Sequence, residues 1–365
     1  MQLRIPGPTP LPDEVLDAMH RDMISHRGDE FHGLLREVTS MLKLGFQTEN
    51  DVLIFPGAGT GGLEASISNL FSPGDTLISV TVGSFGDRYA EIAERFGLHV
   101  VRVPSPWGHA ADLDALQHAL AAAPNVKGVL MTHNETSTGV QNDVEAVSRL
   151  VRQAPDAQGA SPLLLVDCIS SLGAVDIPVD RWDIDVAITA SQKAWMAPPG
   201  LTMLSVSERA WTAHNAAKLP RFYWDFTEAK RYLEKWETPY TPAVSLLYAL
   251  HASLTLITQE GLPNVFARHE RLRDRVRAAV RRMGLSLFAP DAIASRTVTA
   301  IHVPPGLTAS AILSAMRDRG VIIAGGQDAY KEQIIRIGHM GFVTDRDIDQ
   351  VMSALEDVAG LVSLT

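Results

Sequence analysis

The stretch VAITASQKAWMAPPG, residues 186–200, decides the fold that we predict for this chain of 365 residues. It opens with the short apolar run VAITA, which is typical of a strand in a buried parallel sheet. Lys193 follows closely, and Trp195, Met196 and two prolines come after it. Burial in such an apolar setting lowers the pKa of a lysine, and a neutral amine can attack an aldehyde. A single loop lysine is more often structural, so the neighbouring strands must decide between these two interpretations.

Six other runs of the same character lie in the region that ends near Ser205. Each is short, rich in leucine or β-branched residues, and apolar on both faces. Helices are predicted between them near 61–71, 85–96, 112–122 and 143–153. This alternation predicts an α/β fold with a mainly parallel sheet and helices on both of its faces. The six runs are DVLIF (51–55), TLISV (76–80), HVVRV (99–103), KGVLM (127–131), PLLLVD (162–167) and LTMLSV (201–206).

The two ends of the chain carry further elements. Strands near the C-terminus, at 297–303, 320–324 and 334–338, predict a second and smaller α/β unit. We therefore expect a large domain at 1–250 and a small C-terminal α/β domain at 251–365. The remaining segments are predicted as two helices within 13–46, an aperiodic aromatic segment at 220–242, a helical stretch at 243–283, and helices near 308–319 and 344–361.

The charge balance and the residue counts argue against several classes of protein. Asp and Glu number 42 against 32 Lys and Arg, and a net charge of −10 repels nucleic acid. Cys168 is the single cysteine, so we expect neither a disulfide nor a metal site. No apolar run reaches the ~18 residues of a membrane span, and four prolines among the first residues argue against a signal peptide. We therefore expect a cytoplasmic protein with no nucleic-acid or membrane partner.

Glycines cluster where the first of these strands turns into a helix. The segment PGAGTGGLEA covers residues 56–65 and follows the run DVLIF. Small residues let backbone N–H groups approach a phosphate, and the start of a helix carries positive partial charge. The segment matches neither a P-loop nor a dinucleotide fingerprint. It predicts either a phosphate site or a glycine-rich turn without a ligand.

Asp167 ends the strand PLLLVD, close to the core, where a carboxylate needs a partner. It is either a structural group bonded to backbone amides or the group that keeps a pyridine nitrogen protonated, which makes the ring an electron sink. Phe85, in TVGSFGDRY (81–89), is either a stacking partner for a flat ring or a core residue. Ligands of open parallel sheets bind beyond the carboxyl ends of the strands. Lys193, Asp167 and the glycine segment are therefore expected to meet.

Together these motifs resemble those of class V aminotransferases, which have fold type I. The resemblance is nearest to the branch of alanine–glyoxylate and serine–glyoxylate (serine–pyruvate) aminotransferases, and it runs over nearly the whole chain in the same order. It implies pyridoxal 5'-phosphate as the cofactor. The motifs that carry it are PGPTPLP (6–12), AGTGGLEA (58–65), THNETSTG (132–139), VDCISSLGA (166–174), SQKAWMAPPG (191–200) and RIGHMG (336–341).

The resemblance also implies roles for single residues at the cofactor. Lys193 matches the lysine that holds the cofactor as a Schiff base, and Asp167 matches the partner of the pyridine nitrogen. Phe85 matches the aromatic residue that stacks on the ring, and Thr136 matches a hydroxyl near it. The phosphate is expected to lie against Ala58, Gly59, Thr60 and Gln192.

Further matches concern the substrate and the subunit interface. Arg336 matches the arginine that binds the substrate carboxylate; the alternative is a structural ion pair between the domains. Gly7, in the N-terminal motif, is expected among the substrate-binding residues. Tyr240 and Thr241, in ETPYTPAVS (237–245), match a segment that reaches the phosphate of the partner subunit. The resemblance therefore implies a homodimer with shared active sites.

The expected reaction moves an amino group from alanine or serine to glyoxylate or pyruvate by a ping-pong mechanism. Two other functions of the family stay open: a ureidoglycine–glyoxylate aminotransferase and a cysteine desulfurase-like lyase. A desulfurase needs a mobile nucleophilic cysteine, whereas Cys168 is expected to be buried and inert at a strand end. A non-enzymatic binding protein is a third alternative, and the presence of Lys193, Asp167 and Arg336 together argues against it.

Overall fold

The computed structural model describes residues 1–123, 125–154 and 159–362 of the chain. The strands are β1 Gln2–Leu3, β2 Asp51–Gly57, β3 Thr76–Thr81, β4 His99–Pro104, β5 Val126–Thr132, β6 Asn134–Glu135, β7 Val140–Gln141, β8 Leu163–Asp167, β9 Val186–Ala190, β10 Gly200–Val206, β11 Val298–His302, β12 Val321–Ile322, β13 Ala324–Gly325 and β14 Ile334–Gly338. The helices are α1 Asp13–Ala18, α2 Asp29–Phe46, α3 Gly59–Leu70, α4 Ser84–Arg95, α5 Leu113–Ala122, α6 Val144–Arg152, α7 Glu208–Ala216, α8 Phe226–Leu233, α9 Val244–Glu260, α10 Leu262–Arg282, α11 Ala309–Asp318 and α12 Asp345–Val362.

Seven strands form one large sheet in the order β2-β10-β9-β8-β5-β3-β4. Strand β10 pairs antiparallel with both of its neighbours, β2 and β9, while the other neighbouring strands pair in parallel. All strands of this sheet except β10 therefore run in one direction. Each of the seven predicted runs forms one of its strands, so the prediction of a mainly parallel sheet within an α/β fold is confirmed.

The large sheet has an apolar core on each face. Because successive residues of a strand point to opposite faces, Val52 and Ile78 lie in one core while Leu53 and Leu77 lie in the other. The first core includes side chains of α2, α6 and α9, and the second includes those of α3, α4, α7 and α8. Burial on both faces explains why most of the runs show no polar alternation. The prediction of a buried strand is wrong for β4, which is mostly exposed because it is the last strand of the sheet.

Two segments after the large sheet differ from the prediction. The segment 220–242, predicted to be aperiodic, contains the helix α8, and the carboxylate of Asp225 caps it by accepting hydrogen bonds from two backbone N–H groups of the first turn. Its eight residues make little more than two turns, which is too few for a helical period to be visible in the sequence. The stretch 243–283 is two helices, α9 and α10, which meet at Gly261. The φ of this glycine is 81°, a value that glycine adopts readily.

A smaller unit follows, in which β11, β14 and β13 form an antiparallel sheet packed against α10, α11 and α12. The predicted strand at 320–324 is divided in two, because β12 pairs in parallel with the N-terminal strand β1 while β13 pairs with β14. The start of the chain is thus tied to its C-terminal part. The boundary that we predicted between residues 250 and 251 falls inside α9 and stays a prediction.

Within the described ranges, no helix combines the length and the apolar character needed to cross a membrane. In the same ranges, no group of three or more His, Cys, Asp or Glu side chains is arranged to hold a metal ion. The cytoplasmic location and the absence of a metal partner stay predictions.

Two glycines of α2 allow a matched test of the packing around Trp195. A Cβ atom on Gly45 would lie 2.5 Å from Cη2 of this fully buried indole, whereas one on Gly33 has no neighbour within 4 Å. We expect Gly45→Ala to lower the free energy of unfolding by about 1–3 kcal/mol because it overpacks the core. Gly33→Ala should raise it by about 0.5–1 kcal/mol, because alanine favours a helix. Urea unfolding followed by circular dichroism measures both changes, and equal effects would contradict this packing.

Candidate active site

The side chains predicted for the site follow strands that end at the same edge of the large sheet. Strands β2, β3, β5, β8 and β9 run in one direction, so their carboxyl ends lie together. The smaller unit contributes Arg336 from β14. In the order of the five strands, the residues that end or follow them are Ala58, Phe85, Thr136, Asp167 and Lys193.

Lys193 lies in a turn that two other parts of the chain hold in place. Two residues further on, the indole of Trp195 is fully buried and donates a hydrogen bond from Nε1 to Oγ1 of Thr189 (2.9 Å). The N-terminal segment contacts the lysine directly. Nζ of Lys193 donates to the carbonyl oxygen of Pro6 (2.5 Å), and Oγ1 of Thr9 donates to the Lys193 carbonyl oxygen (3.0 Å). The amine is therefore enclosed by its own turn and by the N-terminal segment.

Burial tunes the amine of Lys193. It lowers the pKa to about 8; the negative charge of Asp167 opposes this shift, and the positive charges of Arg336 and Arg88 add to it. A substantial fraction of the amine is therefore neutral near pH 8, and the neutral form is the one that attacks a carbonyl carbon. These interactions bring four charged groups together in one cluster at the edge of the sheet.

Gly7 touches the side chain of Lys193. A Cβ atom on Gly7 would lie 2.6 Å from Nζ of the lysine and 2.7 Å from its Cδ. The φ of Gly7 is 125°, in the region that glycine adopts far more readily than other residues. A larger residue at this position would displace the amine, so the N-terminal motif forms part of the surroundings of the lysine.

Asp167 is buried at the end of β8 and forms no ion pair with any described residue. Its Oδ1 accepts a hydrogen bond from the backbone N–H of Ile169 (2.9 Å). Burial raises the pKa of Asp167 to about 7, and the charge of Glu135 adds to the rise. The Ile169 N–H and the cations Lys193 and Arg88 oppose it. A cationic N–H group at the other oxygen would favour the ionised form.

Helix α3 begins at Gly59, directly after β2, with Ala58 as its N-cap residue. A Cβ atom on Gly59 would lie 2.4 Å from Cδ1 of Ile169, so glycine is what lets the helix start approach the end of β8. Ala58 and Thr60 are exposed, and no side chain caps the helix. The backbone N–H groups of Gly59 and Thr60 form no hydrogen bond with the described residues. The first turn is therefore available to an anion.

Gln192 and Phe85 lie half-buried in the same region. The side-chain oxygen of Gln192 is buried and has no hydrogen-bond partner among the described residues. Phe85 lies in the first turn of α4, and the guanidinium of Arg88 lies 4.7 Å from the centre of its ring. This cation–π contact holds the ring from one face.

Arg336 is buried but is held by backbone carbonyls and not by a carboxylate. Its Nε donates to the carbonyl oxygen of Gly325, and its Nη1 donates to that of Thr136 (2.8 Å each). Burial lowers the pKa of Arg336 to about 10, and the charge of Glu135 opposes this shift. No described residue accepts a hydrogen bond from Nη2, and the structural ion pair considered above is not found among these residues. Thr136 acts here through its carbonyl group; the role of its hydroxyl stays a prediction.

Tyr240 and Thr241 do not join this cluster within one chain. With Pro56 and Tyr223 they line a small separate pocket beside the glycine segment. The ring of Tyr240 stacks on that of Tyr223, with the ring centres 5.4 Å apart. No hydrogen bond links either residue to Lys193 in the described parts of the chain. The expectation that they act across a subunit interface stays a prediction.

Three contributors to the cluster lay outside the predicted set. Glu135 is the only acidic residue of the motif THNETSTG, and its isolation among hydroxyl residues was a usable signal. Arg88 stands three residues after Phe85, a spacing that puts both on one face of a helix. Every residue has a backbone carbonyl group, so the contact of the Pro6 carbonyl with Lys193 cannot be predicted from the type of residue at position 6.

Comparison with known proteins points to one family. The model of the family "Aminotransferase class-V" matches residues 3–351. A soluble hydrogenase 42 kDa subunit from Anabaena cylindrica is 43% identical over 98% of this chain and 93% of its own length. The L-aspartate–glyoxylate aminotransferase of Paracoccus denitrificans is 40% identical over 93% of this chain and 86% of its own length. The crystal structure of alanine–glyoxylate aminotransferase from Nostoc sp. is similar at a TM-score of 0.92 and 32% identity, covering 98% of this chain and 94% of that one.

The lowered pKa of Lys193 leads to a test on the cofactor-free chain. We expect acetylation of Lys193 by acetic anhydride to increase with pH and to level off around a midpoint near pH 8, because only the neutral amine reacts. A free lysine side chain has a pKa of ~10.4 and gives the reference curve. Mass spectrometry of the Lys193 peptide measures the extent of reaction. A midpoint equal to that of the reference would show that burial does not tune this amine.

Proposed function

Because this chain belongs to the class V aminotransferase family, we propose that it is a pyridoxal-phosphate-dependent aminotransferase that moves an amino group from a small amino acid, alanine or serine, to glyoxylate or pyruvate. The observation that carries the proposal is the cluster of the half-buried Lys193 with the buried Asp167 and Arg336. It offers a partly neutral amine together with a carboxylate and a guanidinium that form no ion pair with the described part of the chain. These groups meet three needs of the reaction: covalent attachment, a charged partner for a ring nitrogen, and recognition of a carboxylate.

The donors and acceptors present fit pyridoxal phosphate. The free oxygen of Asp167 suits a protonated pyridine nitrogen. The N–H groups of Gly59 and Thr60, with the amide of Gln192, suit a phosphate at the start of α3. Phe85 offers a ring that is already held in place by a cation–π contact. When bound, the cofactor supplies an electron sink for the bonds at the substrate Cα atom.

Lys193 is suited to carry the proton that moves in the reaction. Its Nζ takes the proton from Cα of the amino donor, and a pKa near 8 allows the amine both to accept and to release a proton around neutral pH. The carbonyl oxygen of Pro6 accepts a hydrogen bond from Nζ and orients it. Gly7 leaves the space in which the side chain can turn toward the substrate.

Asp167 contributes charge stabilisation. Burial and the charge of Glu135, opposed by the Ile169 N–H and the nearby cations, bring the pKa of Asp167 to about 7. A cationic ring nitrogen beside it would therefore favour the ionised form. Asp167 would hold the ring nitrogen in its protonated form, so that the bound cofactor could stabilise negative charge at the substrate Cα atom. Burial also keeps water from screening this interaction.

Arg336 is suited to bind the α-carboxylate that both substrates share. Its Nε and Nη1 are held by the carbonyl groups of Gly325 and Thr136, which leaves Nη2 and one edge of the fork for a carboxylate. An amino donor and a keto-acid acceptor that use one arginine cannot be bound at the same time. This shared use supports the ping-pong order, in which the first product leaves before the second substrate binds.

We further propose a homodimer in which Tyr240 and Thr241 reach the phosphate site of the partner subunit. An exposed aromatic cluster supports this: Phe222, Tyr223 and Tyr240 are 77%, 49% and 36% exposed beside the glycine segment. Large aromatic side chains on a surface are typical of protein interfaces. Sedimentation of a fully active monomer at assay concentration would contradict the shared site.

The two aminotransferases compared above, from Paracoccus denitrificans and Nostoc sp., both have glyoxylate in their names. The other substrate named is aspartate for the first and alanine for the second. We therefore favour glyoxylate as the acceptor, and we keep alanine, serine, aspartate and ureidoglycine as donors to be tested. The desulfurase alternative is weaker, because Cys168 is fully buried and burial raises the pKa of its thiol well above the ordinary value. A thiolate nucleophile is disfavoured at such a position.

A spectral screen of amino acids tests the proposed function. Protein loaded with pyridoxal phosphate is mixed with single amino acids, and we expect a small donor to convert the visible band to that of the pyridoxamine form. Glyoxylate should then restore the band. Lys193→Ala should lose both the band and turnover while still binding cofactor through the phosphate, whereas Lys218→Ala, at an exposed lysine, should behave as wild type. A loaded wild-type protein whose visible band is converted by none of the donors would contradict the proposal.

Arg336→Lys separates substrate binding from a structural role. We expect kcat/KM to fall on the order of a hundredfold for both the amino donor and glyoxylate, because an ammonium cannot form the paired contact of the planar fork. The melting temperature and the cofactor spectrum should change little. Initial rates against both substrates, combined with a thermal melt, measure these effects. A loss confined to one substrate, or a loss of turnover that only follows a loss of stability, would remove Arg336 from the role of carboxylate ligand.

A further inference from the structure

Glu135 is a buried carboxylate that the proposed reaction does not use directly. It ends β6, and its side chain has no exposed surface. Its Oε2 accepts hydrogen bonds from the backbone N–H groups of Phe85 and Gly86 (3.1 Å each). Its Oε1 accepts from the N–H and the Oγ of Ser137 (3.0 and 2.5 Å). Burial raises the pKa of Glu135, and these four hydrogen bonds oppose the rise. The ionised form suits four donors best, because a protonated carboxyl would direct its O–H at one of them.

On one side, Glu135 holds the start of α4. Phe85 and Gly86 lie in its first turn, where free N–H groups and the helix dipole favour a negative charge. The approach is close, since a Cβ atom on Gly83 would lie 2.6 Å from Cγ of Glu135. Because the N–H of Phe85 is itself one of the donors, this contact fixes the backbone that carries the ring proposed to stack on the cofactor.

On the other side, Glu135 fixes the segment that holds Arg336. Its bonds to Ser137 close a tight turn around Thr136, whose carbonyl oxygen accepts the hydrogen bond from Nη1 of Arg336 (2.8 Å). Burial lowers the pKa of Arg336, and the charge of Glu135 opposes this effect without forming an ion pair. The arginine thereby gains a compensating charge nearby, while its fork stays available for a substrate carboxylate.

We propose that Glu135 is a positioning residue that holds the ring of Phe85 and the guanidinium of Arg336 at a fixed spacing, so that cofactor ring and substrate carboxylate are aligned with each other. The role rests on the proposed function, because it needs a ring against Phe85 and a carboxylate at Arg336. A carboxylate that only caps a helix would not also bond to the segment that holds Arg336. Asp112 is such a residue: it caps α5 by accepting one hydrogen bond from the N–H of Ala115 (2.9 Å).

Glu135→Gln keeps the shape of the side chain but removes the charge and turns an NH₂ group toward one pair of donors. We expect the dissociation constant of pyridoxal phosphate to rise several-fold, because the backbone of Phe85 loosens. We also expect KM to rise about tenfold or more for both the amino donor and glyoxylate, because Arg336 loses its fixed geometry. The two effects should be separable: in an Arg336→Lys background, Glu135→Gln should add little to KM but should still weaken cofactor binding.

Hydrogen exchange gives a measure that needs no turnover. Amides in the peptide that contains Phe85 and Gly86 should exchange about tenfold faster in Glu135→Gln, because an uncharged amide replaces the carboxylate that accepts their hydrogen bonds. Ser137→Ala removes one donor to Glu135 and keeps the charge of the carboxylate. It should therefore raise the dissociation constant of pyridoxal phosphate and KM by smaller factors. It serves as the second variant if Glu135→Gln folds poorly.

Asp112→Ala is the matched control, since it removes an exposed carboxylate that caps a helix. It should lower the melting temperature and leave KM and cofactor binding unchanged. A Glu135→Gln protein that shows only this pattern would overturn the proposal, as would full additivity with Arg336→Lys in KM. Cofactor binding and hydrogen exchange are independent of catalysis, so unchanged values overturn the role of Glu135 even if the proposed reaction itself fails.

Discussion

The removal of one primary amine from water is the constraint on which the rest of this structure depends. A lysine whose pKa is lowered to about 8 must be enclosed, and Lys193 is enclosed by the turn around the buried Trp195 and by the N-terminal residues at Pro6 and Gly7. The residues that enclose the amine must themselves be held in fixed positions by a rigid part of the fold. The sheet supplies it because both of its faces are covered by helices, so the carboxyl ends of the parallel strands meet over a packed core.

The charged groups around the amine do not pair with one another, and this separation leaves them able to bind charged groups of a ligand. Two cations, Arg336 and Arg88, and two carboxylates, Asp167 and Glu135, lie in the cluster, and no ion pair joins them among the described residues. Neutral groups hold them instead: backbone carbonyl groups at Arg336, N–H groups and the Ser137 hydroxyl at Glu135, the Ile169 N–H at Asp167, and the ring of Phe85 at Arg88. A buried ion pair would be satisfied in itself. Asp167 and Arg336, which neutral groups hold, can therefore still pair with ligand groups of the opposite charge.

The parts of this arrangement that the sequence predicted are those that depend on neighbours along the chain. The strands were predictable because each buried run is continuous and apolar, and the setting of Lys193 was predictable from the run before it. Strand β10 was predicted, but its direction was not, since burial on both faces gives the same pattern in either direction. The contact of Glu135 with Phe85 spans 50 residues, and that of Lys193 with Pro6 spans 187. Contacts of that range depend on the assembled fold, and local periodicity carries no information about them.

The N-terminal strand has a consequence for how the protein is made. Gln2 donates a hydrogen bond to Asp347, 345 residues later, and β1 has its pairing partner in β12. At about 5–20 residues per second, the ribosome needs roughly 20–70 s to synthesise the partners of a segment that has already emerged. During that time the large sheet can fold, and Thr9 can already bond to the carbonyl oxygen of Lys193, but β1 still lacks its pairing partner. The enclosure of Lys193 by the N-terminal segment is therefore expected to be complete only after β12 and Asp347 have been synthesised.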